Sequence, residues 1–214
     1  MNKPSSRSLC SRCHRPAITC FCDLLVSVNN LVEVVILRHP AEAGNAKNTA
    51  GFLHLCLTRS HLLDGETFAG ADLKSLLDDP MYQQVLLYPE TPEASALSMP
   101  ASRPFERDSC RSASRIRLWV LDATWRKSRK MLYLNPWLQH LPRLSLVDAP
   151  ASRYVIRKSQ AVNQLSTLEA TCYALQQLEQ HQVDYQPLLA AFDDLMQQHQ
   201  TFLPPERMQP SADS

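Results

Sequence analysis

Four short apolar runs are spaced along the chain, and the first of them is rich in β-branched residues. They predict buried β-strands at residues 31–37, 85–88, 118–121 and 144–147. Other segments place apolar residues at helical spacing, which predicts amphipathic helices. These helices are expected at residues 52–57, 72–79, 125–132, 166–178 and 184–202. Strands that alternate with helices are typical of an α/β fold, and 214 residues suit one domain with a small appendage.

Polar residues follow the predicted strand at residues 118–121, directly before a helix. Thr124 is a candidate N-cap of that helix. Because ligands of open α/β sheets bind at the carboxyl ends of the strands, Asp122, Thr124 and Trp125 are candidates for a reaction centre. The alternative is that Asp122 and Thr124 only cap the helix and that Trp125 only fills the core.

Basic residues are concentrated in the second half of the chain, although the net charge is only +1. Residues 103–158 contain thirteen Lys and Arg but four Asp and Glu, whereas the rest contains nine basic and seventeen acidic residues. Arg126, Arg129 and Lys130 lie at i, i+3 and i+4, so they share one helix face. This asymmetry favours a nucleic-acid-binding face beside the candidate centre, the alternative being a solvated surface with no partner.

Four of the seven cysteines fall near the N-terminus as Cys10-x-x-Cys13 and Cys20-x-Cys22. Two such pairs can place four thiolates around one tetrahedral Zn²⁺, and four cysteines leave no open position for catalysis. The alternatives are a redox pair or free thiols in a frayed arm. Residues 1–9 are polar and no long apolar run exists, so we expect a cytoplasmic protein without a membrane span, where disulfides are disfavoured.

Several common ligand motifs are missing. The chain has only four glycines, no G-x-G-x-x-G or P-loop, and no hydrolase signature.

Ser166 and Glu169 fit a capping box at the start of a predicted helix. A helix start can also bind an anion such as a carboxylate, but the capping box by itself favours a structural role for these residues. His39 is expected to cap the helix at residues 52–57 rather than line a site at the end of the first strand, and Asn48 and Thr49 are left open between these two roles.

The motifs together resemble those of the DTW-domain family, between Cys10 and about residue 200. Asp122-Ala123-Thr124-Trp125 is similar to the Asp-x-Thr-Trp signature of that family. The other similar motifs are the cysteine pairs, His39-Pro40-x-Glu42 with Asn48-Thr49, Leu87-Tyr88-Pro89 and Ser166-Thr167-x-Glu169-Ala170.

This resemblance implies a tRNA-uridine aminocarboxypropyltransferase of the bacterial type. Such an enzyme moves the 3-amino-3-carboxypropyl group of S-adenosyl-L-methionine to N3 of a tRNA uridine, here expected at position 47 in the variable loop. The resemblance also implies a SPOUT-like open sheet with helices on both faces and a C-terminal trefoil knot. The expected organisation is a zinc arm (1–25), a catalytic domain (26–203) and a disordered tail (204–214).

The resemblance gives roles to the candidate residues. Asp122 is expected to act as general base or to orient the uracil, Thr124 to hydrogen-bond cofactor or uracil, and Trp125 to stack on a base, with core packing as the alternative. The expected cofactor-binding residues are Leu87, Tyr88, Pro89, Ser166, Thr167 and Glu169. The expected tRNA-binding residues are Arg126, Lys127, Arg129, Lys130, Arg153 and Arg157. The competing functions are an RNA methyltransferase with the same co-substrate and a non-catalytic zinc-containing RNA-binding module; no protein partner is indicated.

Overall fold

A single parallel β-sheet forms the centre of the computed structural model, which describes residues 9–43, 49–89, 103–106, 115–146 and 165–201. The five strands lie in the order β2-β1-β4-β3-β5, and every neighbouring pair is parallel. The strands are β1 (Glu33–Arg38), β2 (Ser60–Asp64), β3 (Tyr82–Leu87), β4 (Arg115–Asp122) and β5 (Arg143–Leu144). The predicted α/β class is therefore confirmed.

Seven α-helices connect or follow the strands in the described part of the chain. They are α1 (Pro40–Ala43), α2 (Ala50–Cys56), α3 (Ala71–Leu77), α4 (Trp125–Leu134), α5 (Pro136–His140), α6 (Thr167–Leu178) and α7 (Gln186–Thr201). Two 3-10 turns, Ala17–Thr19 and Cys22–Leu24, lie in the N-terminal arm. The predicted helices α2, α3, α4, α6 and α7 are all present, with boundaries shifted by a few residues.

Helices cover both faces of the sheet. Side chains of a strand point alternately to opposite faces, and on β1 Val34 and Ile36 belong to one apolar cluster while Val35 and Leu37 belong to another. The first cluster includes residues of α2, α6 and α7, and the second includes residues of α3, α4 and α5. The resulting three layers explain why the central strands are apolar on both faces.

The edge strands differ from the sequence prediction. β2 was not predicted, because its sequence Ser-His-Leu-Leu-Asp has no apolar run and its residues are only partly buried or exposed. An edge strand pairs on one side only, so it needs less burial than a central strand. The strand predicted at residues 144–147 is limited, in the described part, to the two residues of β5.

The carboxyl ends of the central strands lie together at one edge of the sheet. β1 and β4 are paired so that Arg38 lies opposite Asp122, and the His39 N–H donates to the Asp122 carbonyl oxygen over 3.0 Å. The first turn of α6 reaches the same edge, because the Thr167 hydroxyl contacts Asp122. This edge therefore collects the ends of β1, β3 and β4 and the start of α6.

The N-terminal arm packs against α2 and α7. Phe21 is buried edge-to-face against Phe52 with ring centroids 5.2 Å apart, and Gln198 Nε2 donates to the Cys20 carbonyl oxygen over 3.2 Å. Arg15 Nη1 lies 3.4 Å from His199 Nε2. No described helix is long and apolar enough to cross a membrane.

Candidate active site

A cavity of about 380 Å³ opens at the carboxyl ends of β3 and β4, beside the start of α6. Its wall is mainly apolar, with a few hydroxyl groups. The lining residues are Leu87, Tyr88, Pro89, Val120, Leu121, Ala123, Trp125, Ser128, Leu144, Leu146, Leu165, Ser166, Thr167 and Ala170. Five of the six predicted cofactor-binding residues are in this set; the sixth, Glu169, is not.

Asp122 lies in the wall of this cavity but not on its surface. Its neighbours Leu121 and Ala123 line the cavity, whereas Asp122 is 6% exposed and is not a lining residue. The hydroxyl of Thr167, which does line the cavity, donates a hydrogen bond of 2.8 Å to Asp122 Oδ1. Thr167 is therefore a polar contact between the cavity and the Asp122 side chain.

Two aromatic rings form one side of the cavity mouth. Trp125 stacks on Tyr88 with ring centroids 5.4 Å apart and an interplanar angle of 11°. Trp125 is 50% exposed, so the alternative that it only fills the core is wrong. Tyr88 is buried; burial raises the pKa of its phenol, opposed by a contact of 3.3 Å with Ser128 Oγ. The phenol is therefore neutral and serves as a rigid support for Trp125.

The two helices beside the cavity, α4 and α6, begin at the residues predicted from the sequence. Thr124 is the N-cap residue of α4, but its side chain makes no capping hydrogen bond and is exposed. Ser166 is the N-cap of α6 and forms the predicted capping box, in which Glu169 N–H donates to Ser166 Oγ and Ser166 N–H donates to Glu169 Oε2. Glu169 is fully buried by this role.

Residues that sequence reasoning missed complete the wall. Ser128, Leu144, Leu146, Leu165 and Ala170 line the cavity beside the predicted residues. Ser128 lies one turn after Trp125, so helical spacing was the available signal for it. The others come from β5, the segments beside it and α6, whose approach to β3 is visible only in three dimensions.

Lys127 and Lys130 of α4 form ion pairs with acidic residues of the described chain. Lys127 Nζ lies 3.0 Å from Glu42 Oε1, and Lys130 Nζ lies 2.9 Å from each carboxylate oxygen of Glu66. Arg126 on the same helix is exposed. The positive charge of the α4 surface is therefore partly compensated by acidic residues distant in sequence. Arg153 and Arg157 lie outside the described residues.

His39 connects the loop after β1 to α4. Its Nδ1 accepts the Ala41 N–H over 3.1 Å at the start of the short helix α1, so it does not cap the predicted helix at residues 52–57, and its Nε2 lies 2.9 Å from Glu66 Oε1. Thr49 is the buried N-cap of α2 without a side-chain capping bond, and Asn48 lies outside the described residues. The His39 contact with Glu66, which also pairs with Lys130, links the end of β1 to α4.

The four N-terminal cysteines converge on one point. Their Sγ atoms all lie within 4.8 Å of one another, and the pairs Cys10–Cys22 and Cys13–Cys20 are each 3.6 Å apart. A Zn–S distance of about 2.3 Å in a tetrahedron gives sulfur separations of about 3.8 Å, so the cluster fits a tetrahedral metal ion.

The backbone around the first cysteine pair forms a tight knuckle. His14 adopts φ 56°, and its N–H donates to the Cys10 carbonyl oxygen over 2.9 Å. Backbone hydrogen bonds, that of Cys13 first, lower the pKa of Cys10 to about 6, whereas burial and neighbouring thiols raise the pKa of Cys22 to about 12. Burial and neighbouring thiols thus oppose ionisation of Cys20 and Cys22, and a cation bound between the sulfurs would offset this cost.

The arrangement is that of an α/β protein with a small-molecule pocket at the carboxyl edge of a parallel sheet and a cysteine cluster at one end. Residues 7–200 match the family model of the DTW domain. The chain belongs to the DTW-domain family, as the Asp122-Ala123-Thr124-Trp125 motif predicted.

Three curated relatives are all named as tRNA-uridine aminocarboxypropyltransferases. The tRNA-uridine aminocarboxypropyltransferase 2 of Drosophila melanogaster is 33% identical over 82% of this chain and 68% of that protein. The protein of the same name in Macaca fascicularis is 29% identical over 86% of this chain and 60% of its own length. The tRNA-uridine aminocarboxypropyltransferase A of Arabidopsis thaliana is 27% identical over 59% of this chain and 50% of that protein.

The chain thus spans between half and about two thirds of the length of these relatives. They come from animals and a plant, so assignment to the bacterial branch stays a prediction. No solved structure matches this chain.

Proposed function

We propose that this protein transfers the 3-amino-3-carboxypropyl group of S-adenosyl-L-methionine to N3 of a uridine in tRNA. Family membership and the names of the relatives support the reaction class. The observation that carries the proposal is the hydrogen bond of 2.8 Å from Thr167 to Asp122, which joins two family motifs at the wall of the cavity. An acceptor for a proton is what a nucleophile with an N–H group needs.

The cavity suits the co-substrate in size and chemistry. About 380 Å³ lies within the range of roughly 300–1,000 Å³ that is typical of small-molecule pockets. Leu87 and Pro89 supply apolar wall against the adenosine or the methylene chain. Ser166 and Thr167 lie at the start of the twelve-residue helix α6, whose dipole attracts a carboxylate such as that of the methionyl chain, although the capping box already uses the N–H groups of Ser166 and Glu169.

The transfer requires a proton to leave and a C–S bond to break. The N3 electron pair attacks the γ-carbon of the aminocarboxypropyl chain, and the C–S electron pair returns to sulfur, which releases neutral methylthioadenosine. Because Asp122 does not line the cavity, the N3 proton passes to Thr167 Oγ1 while the Thr167 hydroxyl proton passes to Asp122 Oδ1. Asp122 is thus the final proton acceptor, and Thr167 relays the proton.

The aromatic and basic residues of α4 would receive the tRNA. Trp125, held by Tyr88, offers an exposed ring on which the uracil or its neighbour stacks. Thr124, exposed at the start of α4, hydrogen-bonds the uracil edge. Arg126, Lys127, Arg129 and Lys130, with Arg153 and Arg157, bind phosphates; we expect smaller contributions from Lys127 and Lys130, because acidic partners already hold them.

We further propose that Cys10, Cys13, Cys20 and Cys22 bind a structural Zn²⁺. The sulfur separations and the crowding of the thiols support a dication at their centre. Four thiolate ligands would close the coordination sphere, so the ion would hold the arm and take no part in the transfer.

The remaining finer predictions belong to the same proposal. They are the three-part division of the chain at residues 25 and 203, a SPOUT-like fold with a C-terminal knot, a cytoplasmic location, and uridine 47 of the variable loop as the target. Residues 147–164 lie outside the described part of the chain.

An experiment with two labels tests the reaction. The parent protein is incubated with tRNA and co-substrate labelled either in the methionine carboxyl group or in the S-methyl group. We expect only the carboxyl label to enter the tRNA, and Asp122→Asn to abolish its incorporation. Entry of the methyl label would favour an RNA methyltransferase, and entry of neither label would favour a binding module.

A further inference from the structure

The outer side of α4 carries aromatic and basic side chains, of which Trp125, Arg126 and Tyr133 are exposed and Arg129 is half-buried. Trp125, Arg129 and Tyr133 follow one another at intervals of four residues, which places them along one face of the helix. Trp125 is 50% exposed and Tyr133 is 64% exposed. Arg126 borders this line and is exposed as well. The stripe is defined here as Trp125, Arg126, Arg129 and Tyr133.

The opposite side of α4 explains why the stripe is on the surface. Ser128, Met131 and Leu132 are buried and face the sheet. A large tyrosine at the exposed side of a helix adds nothing to this core. Glu42 and Glu66 pair with Lys127 and Lys130, which lie outside the stripe, and α4 itself contains no acidic residue, so the two arginines give the stripe a positive charge that suits a polyanion.

We propose that the stripe binds the unpaired RNA strand that carries the target uridine, with one base stacked on Trp125 and a second base on Tyr133. This inference rests on the proposed function and extends it from the cavity to the neighbouring nucleotides. Arginine between two aromatic rings suits such a strand, because its guanidinium contacts phosphates and stacks on bases.

The spacing selects a single strand rather than a duplex. Eight residues separate Trp125 from Tyr133, which corresponds to ~12 Å along the helix axis. Stacked nucleotides of one strand rise by only about 3.4 Å, so bases on the two rings are not stacked neighbours. The bound strand must be opened, as it is in the loops where bases are splayed out.

Variants of Tyr133 test the stripe without touching the cavity. Tyr133→Ala removes the ring, Tyr133→Phe keeps it, and Met81→Ala is a control that removes a similarly exposed apolar side chain beside the start of β3. Binding of tRNA and of the co-substrate is measured by titration at several salt concentrations, and thermal melting checks folding. Arg126→Gln serves as the charge variant.

We expect Tyr133→Ala to weaken tRNA binding about tenfold, with an unchanged salt dependence, because stacking is lost and no phosphate contact is removed. Tyr133→Phe and Met81→Ala should bind like the parent, and Arg126→Gln should reduce the slope of log K against log salt by about 1. Co-substrate binding should not change in any of these variants.

The outcomes separate this inference from the proposed function. If the parent transfers the carboxyl label while Tyr133→Ala binds tRNA as the parent does, the stripe is not the strand-binding surface. If Tyr133→Ala weakens tRNA binding but the parent transfers no label, the stripe stands and the proposed function fails. A parent dimer that Tyr133→Ala dissociates, with tRNA affinity unchanged, would assign the stripe to a second copy of the chain and overturn the inference.

Discussion

Replacement of Thr167 by valine tests the proposed proton route by removing a single hydroxyl group. Valine has nearly the shape of threonine but lacks the hydroxyl that donates to Asp122 Oδ1 over 2.8 Å. The carboxylate stays in place, because the backbone around Asp122 is paired with β1 and its carbonyl oxygen accepts the His39 N–H. The substitution therefore interrupts the path between cavity and carboxylate while it preserves the fold.

The expected size of the effect follows from the two roles of the hydroxyl. Loss of a positioned proton-transfer group lowers kcat by about 10²–10⁴-fold, which corresponds to ~3–5 kcal/mol of activation free energy. Loss of a hydrogen bond to a charged group lowers the free energy of unfolding by about 1.5–3 kcal/mol. Thr167→Ser keeps the hydroxyl, so it should retain most of kcat with a similar affinity for both substrates.

Steady-state kinetics with tRNA and co-substrate, together with thermal melting, separate these effects. We expect Thr167→Val to lose kcat with nearly unchanged KM for tRNA, and Asp122→Asn to lose at least as much. A Thr167→Val protein that is folded, binds both substrates and turns over like the parent would refute the relay. Equal losses in Thr167→Ser and Thr167→Val would show that packing, and not the hydroxyl, is what the site requires.

Three further predictions concern the surroundings of the site. Trp125→Ala should raise KM for tRNA about tenfold, whereas Trp125→Phe, which can still stack on Tyr88, should stay near the parent in steady-state assays. Cys20→Ser should lose the metal that elemental analysis is expected to find in the parent, and a chelator should lower the melting temperature of the parent only. The ion pair with Lys130 lowers the pKa of Glu66 below its ordinary value of 4.5. The ionised Glu66 side chain therefore stabilises the folded protein above pH 4.5, and this stabilisation is lost as the pH falls through the lowered pKa. The melting-temperature difference between parent and Glu66→Gln should therefore disappear in acid, and a difference that grows below pH 4.5 would contradict it.

The elements with two buried faces were predictable from the sequence. β1, β3 and β4 are apolar on both sides because helices cover the sheet twice, and this produces continuous apolar runs. β2 was not predictable in this way, because an edge strand with Ser60 and Asp64 at its ends resembles a loop. The capping box at Ser166 was predictable, since it depends on residues three positions apart.

The contacts within the candidate site could not be predicted from local sequence patterns. The sequence places Asp122 at a strand end and Thr167 at a helix start, but their hydrogen bond joins residues 45 positions apart and requires the packed sheet. The same reason hid the acidic partners of α4, because Glu42 and Glu66 lie 85 and 64 positions from their lysines. Local counts of charge therefore overstated the positive charge of this helix.

The central claim is that the aminocarboxypropyl chain, and not the methyl group, is transferred to uridine. The most direct measurement is mass spectrometry of nucleosides from tRNA treated with the parent protein, with the adenosine by-product quantified in the same reaction. We predict a uridine heavier by one aminocarboxypropyl group and an equal amount of methylthioadenosine. A uridine heavier by one methyl group with S-adenosylhomocysteine as by-product would contradict the account.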